Sequence, residues 1–268
     1  MVNLLVAAAL ATASAQPVAP ASADPALFVV GDADTTVYIF GTFHALDGRS
    51  EWFHNKVRNA FDSSGELVLE TLVPEGPGPI LLPAMRTPAP PLRGVSVTPS
   101  ASFLATTRMA IDAGRSQGMK VGYGADMILR QAAENSGKQV EGLETLESQL
   151  NMFTQMPAST SPPAASASGR VDDGARDSLS KSMVDMQAAW NRGDQNVFVH
   201  MLDKLSRASP DTYRMLFTER NSRWADWIAA RLQTPGTVFV AVGAGHLAGK
   251  DSVLVRLAEQ GIESQRLN

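Results

Sequence analysis

Two stretches near opposite ends of the chain share one pattern, and any fold must house both. One reads Thr36-Val37-Tyr38-Ile39-Phe40-Gly41-Thr42-Phe43-His44. The other reads Thr237-Val238-Phe239-Val240-Ala241-Val242-Gly243-Ala244-Gly245-His246. Each is a β-branched and aromatic run that ends at a glycine and delivers a histidine three residues later. Runs of this kind prefer buried strands. The glycine permits a sharp exit. Each histidine is then expected just past the carboxyl end of a strand, where open α/β sheets place their ligand sites. Of only four histidines in the chain, these two end matching runs.

Composition narrows the function classes. Apolar residues make up 44% of the 268 and charged residues 19%, so the chain can bury a sizeable core. The net charge is −4 and no basic cluster stands out, which argues against a nucleic-acid partner. There is no cysteine, which excludes disulfides, thiolate metal sites and a cysteine nucleophile. From Leu4 to Ala13 the chain is Leu, Val, Ala and one Thr, followed by the small-residue triplets Ala13-Ser14-Ala15 and Ala21-Ser22-Ala23. We read residues 1–23 as a secretory signal peptide cleaved after Ala15 or Ala23, although Met1-Val2-Asn3 lacks the usual positive charge. The run is too short for a stable bilayer anchor. The expected mature protein is periplasmic or secreted, with no membrane span.

Along the chain, Leu27–Val30 and Val37–Phe40 flank a polar turn and predict a hairpin. Ser50 is placed to cap a helix from Glu51 to about Asp62. Glu66 to Glu70 reads as a short strand ending on a carboxylate. Between Pro74 and Pro99 stand eight of the 16 prolines, so this stretch is not one helix. Helices are expected over Ala101–Gly114, Ala125–Asn135 and Glu144–Gln155, with a short strand at Lys138–Val140. The Ser/Ala/Pro-rich stretch 158–169 reads as a linker. Three further helices follow, the third starting at Ser209-Pro210-Asp211 with proline in its first turn. The chain closes with the second glycine–histidine strand, a helix from Ser252 to Gln260 and a last strand. The expected fold is mixed α/β (α+β), one domain over 24–268, its sheet built from strands at both ends and flanked by helices.

His44, His246 and Glu70 are the candidate metal ligands. In the period-two pattern of Glu66–Glu70, Val68 and Glu70 face one way and Leu67 and Leu69 the other. Parallel strands would bring all three side chains to one edge of the sheet. Two imidazoles and a carboxylate can hold a catalytic ion with an open position. In the third helix, Arg220 and Asn221 fall inside the stripe formed by Tyr213, Leu216, Phe217, Trp224, Trp227, Ile228 and Leu232. A buried arginine needs a partner, and it is suited to stabilising an oxyanion. The blander readings are that the histidines are satisfied structural residues, that Glu70 caps a helix and that Arg220 belongs to a structural ion pair. Glu144 reads simply as an acid at a helix start. No nucleotide-binding loop, zincin motif or serine-nucleophile elbow is present.

An ordered set of motifs resembles the TraB/GumN family, which is related to the Tiki metalloproteases. The set runs through Gly41-Thr42-Phe43-His44, Leu67-Val68-Leu69-Glu70, Gly124-Ala125-Asp126 and Gly142-Leu143-Glu144-Thr145. It continues with Trp190-x-x-Gly193-Asp194, Arg220-Asn221 and Val242-Gly243-Ala244-Gly245-His246-Leu247. Where the family usually has Gly-Val-Asp, this chain has Gly124-Ala125-Asp126. The resemblance implies a mixed α/β fold. From the Tiki branch it implies a divalent-metal peptidase site on His44, Glu70 and His246, with Arg220 and Asn221 in support. The expected function is an exported metal-dependent hydrolase acting on a peptide or small polar substrate. Mn, Co or Zn would be its ion, and Glu70 a ligand or general base. The competing expectations are a non-catalytic envelope protein binding peptide or glycan, and a module handling metal or haem iron.

Overall fold

The computed structural model describes residues 21–72, 101–156 and 173–268. The expected signal peptide (apart from its last residues), the Pro-rich stretch and the linker lie outside them. Eight strands are described: β1 (Ala21–Ser22), β2 (Leu27–Gly31), β3 (Thr35–Thr42), β4 (Ser50–Glu51), β5 (Glu66–Thr71), β6 (Gln139–Glu144), β7 (Gly236–Gly243) and β8 (Gln265–Arg266). The helices are α1 (Asn55–Ser63), α2 (Ala101–Ser116), α3 (Ala125–Asn135), α4 (Leu146–Gln155), α5 (Asp173–Asn191), α6 (Asn196–Ala208), α7 (Pro210–Tyr213), α8 (Glu219–Arg231) and α9 (Val253–Glu259).

Six strands form one mixed sheet in the order β6-β5-β7-β3-β2-β8. The four from β6 to β3 run parallel, and β2 and β8 join antiparallel. The two glycine–histidine strands are therefore neighbours, with Thr42 opposite Gly243. On the other side of β7, Leu69 pairs with Ala241, which carries Glu70 to the same edge.

The sheet divides the core as the two-residue period requires. On one face Phe40, Leu67, Leu69, Phe239 and Ala241 pack with Val57, Phe61, Leu129, Trp190 and Phe198 from the helices. On the other, Ile39, Val68, Val238, Val240 and Val242 pack with Trp224, Ile228, Val253 and Leu257. The mixed α/β class read from the sequence is the fold observed.

Three local expectations change. The helix predicted from Glu51 starts at Asn55, because Ser50 and Glu51 pair in parallel with Ala21 and Ser22. The strand predicted at Lys138–Val140 extends to Glu144, and Thr145 caps the next helix by accepting from Ser148 N–H at 3.1 Å. The third helix is interrupted by a π-turn over Arg214–Thr218 between α7 and α8. Such turns insert one extra residue and rotate the faces that follow.

Candidate functional site

The carboxyl ends of β3, β5 and β7 converge on Gly243. A Cβ at that glycine would lie 3.3 Å from His44 Nε2, 3.5 Å from Glu70 Oε2 and 3.6 Å from His246 Cδ2. The backbone N–H of Gly243 itself donates to Glu70 Oε2 at 3.3 Å. The missing side chain thus leaves a small hollow faced by all three residues that the strand pattern selected. His246 sits on a 3-10 turn over Ala244–Leu247, with its ring between Phe217 and Trp224 at centroid distances of 4.8 and 4.4 Å. The π-turn helps bring Phe217 and Arg220 onto this ring together.

Second partners orient both imidazoles. Asn221 donates from Nδ2 to the carbonyl of Asp251 at 2.7 Å, which turns its Oδ1 toward His246 Nδ1 at 2.6 Å. Nδ1 must then carry the proton, and Nε2 is left with its lone pair. Across the hollow, His44 Nδ1 lies 3.3 Å from Asp126 Oδ1 at the start of α3. His44 thus turns Nε2 to the hollow, whereas His246 turns Cδ2 to it and Nε2 to Arg220; outer carboxylates and amides orient metal-bound histidines through the same second contacts.

Arg220 is the permanent cation of the site. Its Nη2 reaches Glu70 Oε1 at 2.5 Å, its Nε donates to both oxygens of Glu144 at 3.1 and 3.0 Å, and its Nη1 lies 3.3 Å from His246 Nε2. A fourth contact runs from Nη1 to the Leu216 carbonyl in the π-turn, and the guanidinium lies 4.6 Å over the Trp224 ring. With 5% of its side chain exposed, the guanidinium is buried, and two carboxylates offset its desolvation.

The electrostatics follow from these contacts. Desolvation lowers His246, and Arg220 and His44 lower it further against the pull of Glu70, to about 3. Its imidazole is therefore neutral near neutrality. Burial alone would raise Glu70, but His246, Arg220 and His44 outweigh it and hold the carboxyl down at about 2. Because His246 is uncharged above pH 3 or so, Arg220 is the standing partner of that carboxylate. Desolvation opposes charging of His44, but Asp126 and then Glu70 raise it. More than half of the His44 side chain is exposed, so solvent screens this last effect.

All five sequence-selected residues, His44, Glu70, Arg220, Asn221 and His246, lie in this one cluster. Glu144 and Asp126 were not selected. Glu144 ends β6 and Glu70 lies one residue from the end of β5, but the sequence shows Glu144 only as an acid at a helix start. Asp126 carried no signal of its own beyond its place in a motif. By donor type, His44, Glu70 and His246 suit a divalent ion. Among the described residues, however, no group of three or more histidines and carboxylates is arranged to hold an ion, and Arg220 engages both Glu70 and His246.

The family model described as the TraB/PrgY/gumN family matches residues 26–86 and 84–266. The protein named "Uncharacterized protein YbaP" of Escherichia coli (strain K12) is 30% identical over 139 residues, covering 51% of this chain and 48% of the relative. The protein of the same name from Shigella flexneri matches to the same extent. The matched region thus spans about half the length of these curated relatives. No solved structure matches.

Proposed function

The chain belongs to the TraB/PrgY/gumN family, and on that premise we propose that it is an exported, metal-dependent hydrolase of peptide-like bonds. The observation that carries this reading is the Gly243 hollow, into which His44 Nε2 and Glu70 Oε2 face beside the neutral His246 ring. His44, Glu70 and His246 would hold the ion. Bound there, a divalent ion would acidify a water molecule and polarise a carbonyl.

The chain's own groups supply the rest. Asn221 keeps His246 in the tautomer that offers Nε2. Asp126 orients His44 through Nδ1, and Nε2 would give up its proton when the ion binds. Glu70 is ionised throughout the physiological range, so it can accept a proton at Oε2. Arg220 offers N–H groups to an oxygen that gains negative charge, provided its hold on Glu70 relaxes when substrate enters.

The test is metal content and cleavage together. The mature protein, purified without chelator, is expected to bind close to one equivalent of Mn, Co or Zn and to cut members of a random peptide library. His246→Ala should lose the metal, and Glu70→Gln should lose cleavage. A wild type that takes up no metal from replete buffer would overturn the reading. The ion pair between Arg220 and Glu70 favours one competitor, a non-catalytic envelope protein that binds peptide or glycan over the same cluster. Peptide binding without metal uptake or cleavage would select it.

A further inference from the structure

A second cavity, of about 420 Å³, opens beside the cluster and shares His44 with it. Its walls are Phe43 from the β3 exit, Ile111 and Gly114 from α2, Met119 and Val121 beyond that helix, and Met183 from α5. These side chains are apolar, and a cavity of this size lies within the range of small-ligand sites. The two methionines adapt to differently shaped occupants. Gly114 keeps the wall thin: the nearest described atoms to a Cβ there would be Met183 Cε at 3.5 Å and Met119 Cβ and Sδ at 3.7 Å, ordinary contact distances.

Among the described residues, the ionisable groups that line the cavity are His44, Arg115 and Lys120, and no carboxylate is among them. Arg115 is engaged by Asp112 at 3.6 Å, and His44 by Asp126. Lys120 makes no ion pair among the described residues. Its ammonium lies 5.0 Å over the Tyr123 ring and 3.5 Å from the Tyr123 hydroxyl. An apolar hollow with one uncompensated cation at its edge complements an apolar group that carries a negative charge beside it.

We propose that this cavity is a specificity pocket that takes a bulky apolar side chain of a peptide, with the neighbouring carboxylate of that peptide on Lys120. The location of the cleaved bond rests on the hydrolase reading above, because His44 joins the pocket to the cluster. The binding preference does not rest on it.

The experiment therefore measures binding with chelator present, so that no turnover is needed. Fluorescently labelled peptides of the form Gly-X-Z-Gly are titrated by anisotropy against the full chain, with X as Gly, Leu, Met or Phe and Z as Glu, Gln or Lys. Leu, Met or Phe at X is expected to bind at least about tenfold more tightly than Gly, as filling an apolar pocket does. Glu at Z should exceed Lys, and Lys120→Glu should reverse that order. Gly114→Leu fills the hollow and should abolish the preference at X. Met183→Ala enlarges it and should shift the preference toward Phe, which keeps the test decisive if Gly114→Leu misfolds. Equal binding of Gly and Leu peptides by a folded wild type would overturn the pocket. If the chelator-free wild type takes up no metal while this apolar preference is intact, the hydrolase reading alone is overturned.

Discussion

At the scale of single residues, the cluster is held by pairings in which a neutral or charged partner fixes what its neighbour can do. Asn221 has one oxygen and one amide to offer. The amide is committed to the Asp251 carbonyl, so the oxygen is committed to His246 Nδ1. Asn221→Leu keeps the volume and removes the constraint. Nitrogen-detected NMR should then show His246 shift from a single Nδ1–H tautomer to a mixture, with metal affinity falling about 10- to 100-fold. An unchanged tautomer would remove Asn221 from the positioning role. Arg220 supports a second expectation. Removing it in Arg220→Met leaves Glu70 buried without its cation, a change that costs about 3–5 kcal/mol in comparable sites, while Glu144 keeps the exposed Arg223 at 3.2 Å. The sign with pH follows from Glu70, whose carboxyl is held at about 2 in the fold against an ordinary 4.5. A depressed carboxyl contributes stability that is complete above about 4.5 and is lost as pH falls through about 2. With chelator present, the urea midpoint of the wild type should drop over that window, and Arg220→Met should show a shallower drop. Equal slopes would mean that another group holds Glu70 down.

At the scale of elements, the end of β7 is the decisive feature, because Gly243 is where three strand ends come within reach of one point. Its φ of −52° is open to any L-residue, so the glycine is required by space and not by backbone angle. Gly243→Ala should leave urea stability within about 1 kcal/mol of the wild type, yet place a methyl among His44, Glu70 and His246. Metal uptake and cleavage should then disappear from a folded protein. Retained uptake would show that the hollow is not where the ion binds. The same element explains how much was legible beforehand. The two glycine–histidine strands, Glu70 and the apolar stripe with Arg220 inside it each carry a local period, and period survives in sequence. What the period cannot carry is partnership across the chain. Ser50 looks like a helix cap until Ala21 and Ser22 claim its neighbourhood as a strand. Glu144 looks like a helix start until β6 is seen to run on beside β5 and deliver it to Arg220. The π-turn at Arg214–Thr218 leaves no trace in the spacing of Tyr213, Phe217 and Trp224 that an ordinary helix would not also show.

For the whole molecule, the topology makes the cluster a product of both ends of the chain. β7 lies between β3 and β5, and its Val238, Phe239 and Val240 are fully buried, so the sheet has no continuous centre without the C-terminal part. The edge strand β8 also comes from that part, where Leu267 N–H donates to the Leu27 carbonyl and Asn268 Oδ1 accepts from Leu27 N–H. A polypeptide of residues 21–156 therefore contains β3 and β5 but must leave both flanks of the β7 gap unpaired and their apolar faces in water. A polypeptide of residues 173–268 contains β7 and its helices but no parallel partner. Each alone is expected to lack a cooperative thermal transition and to bind no metal. Mixed at equal concentration, the two should recover a single transition, because every strand pair of the six-stranded sheet is then present. Metal uptake should return only in the mixture, since His44 and Glu70 come from one piece and His246, Asn221 and Arg220 from the other. Circular dichroism during a thermal scan, with metal analysis of the same samples, decides the matter. A cooperative transition in the first piece alone would show that β3 and β5 have another way to pair. The parallel order through β7 would then not be the element on which the fold depends.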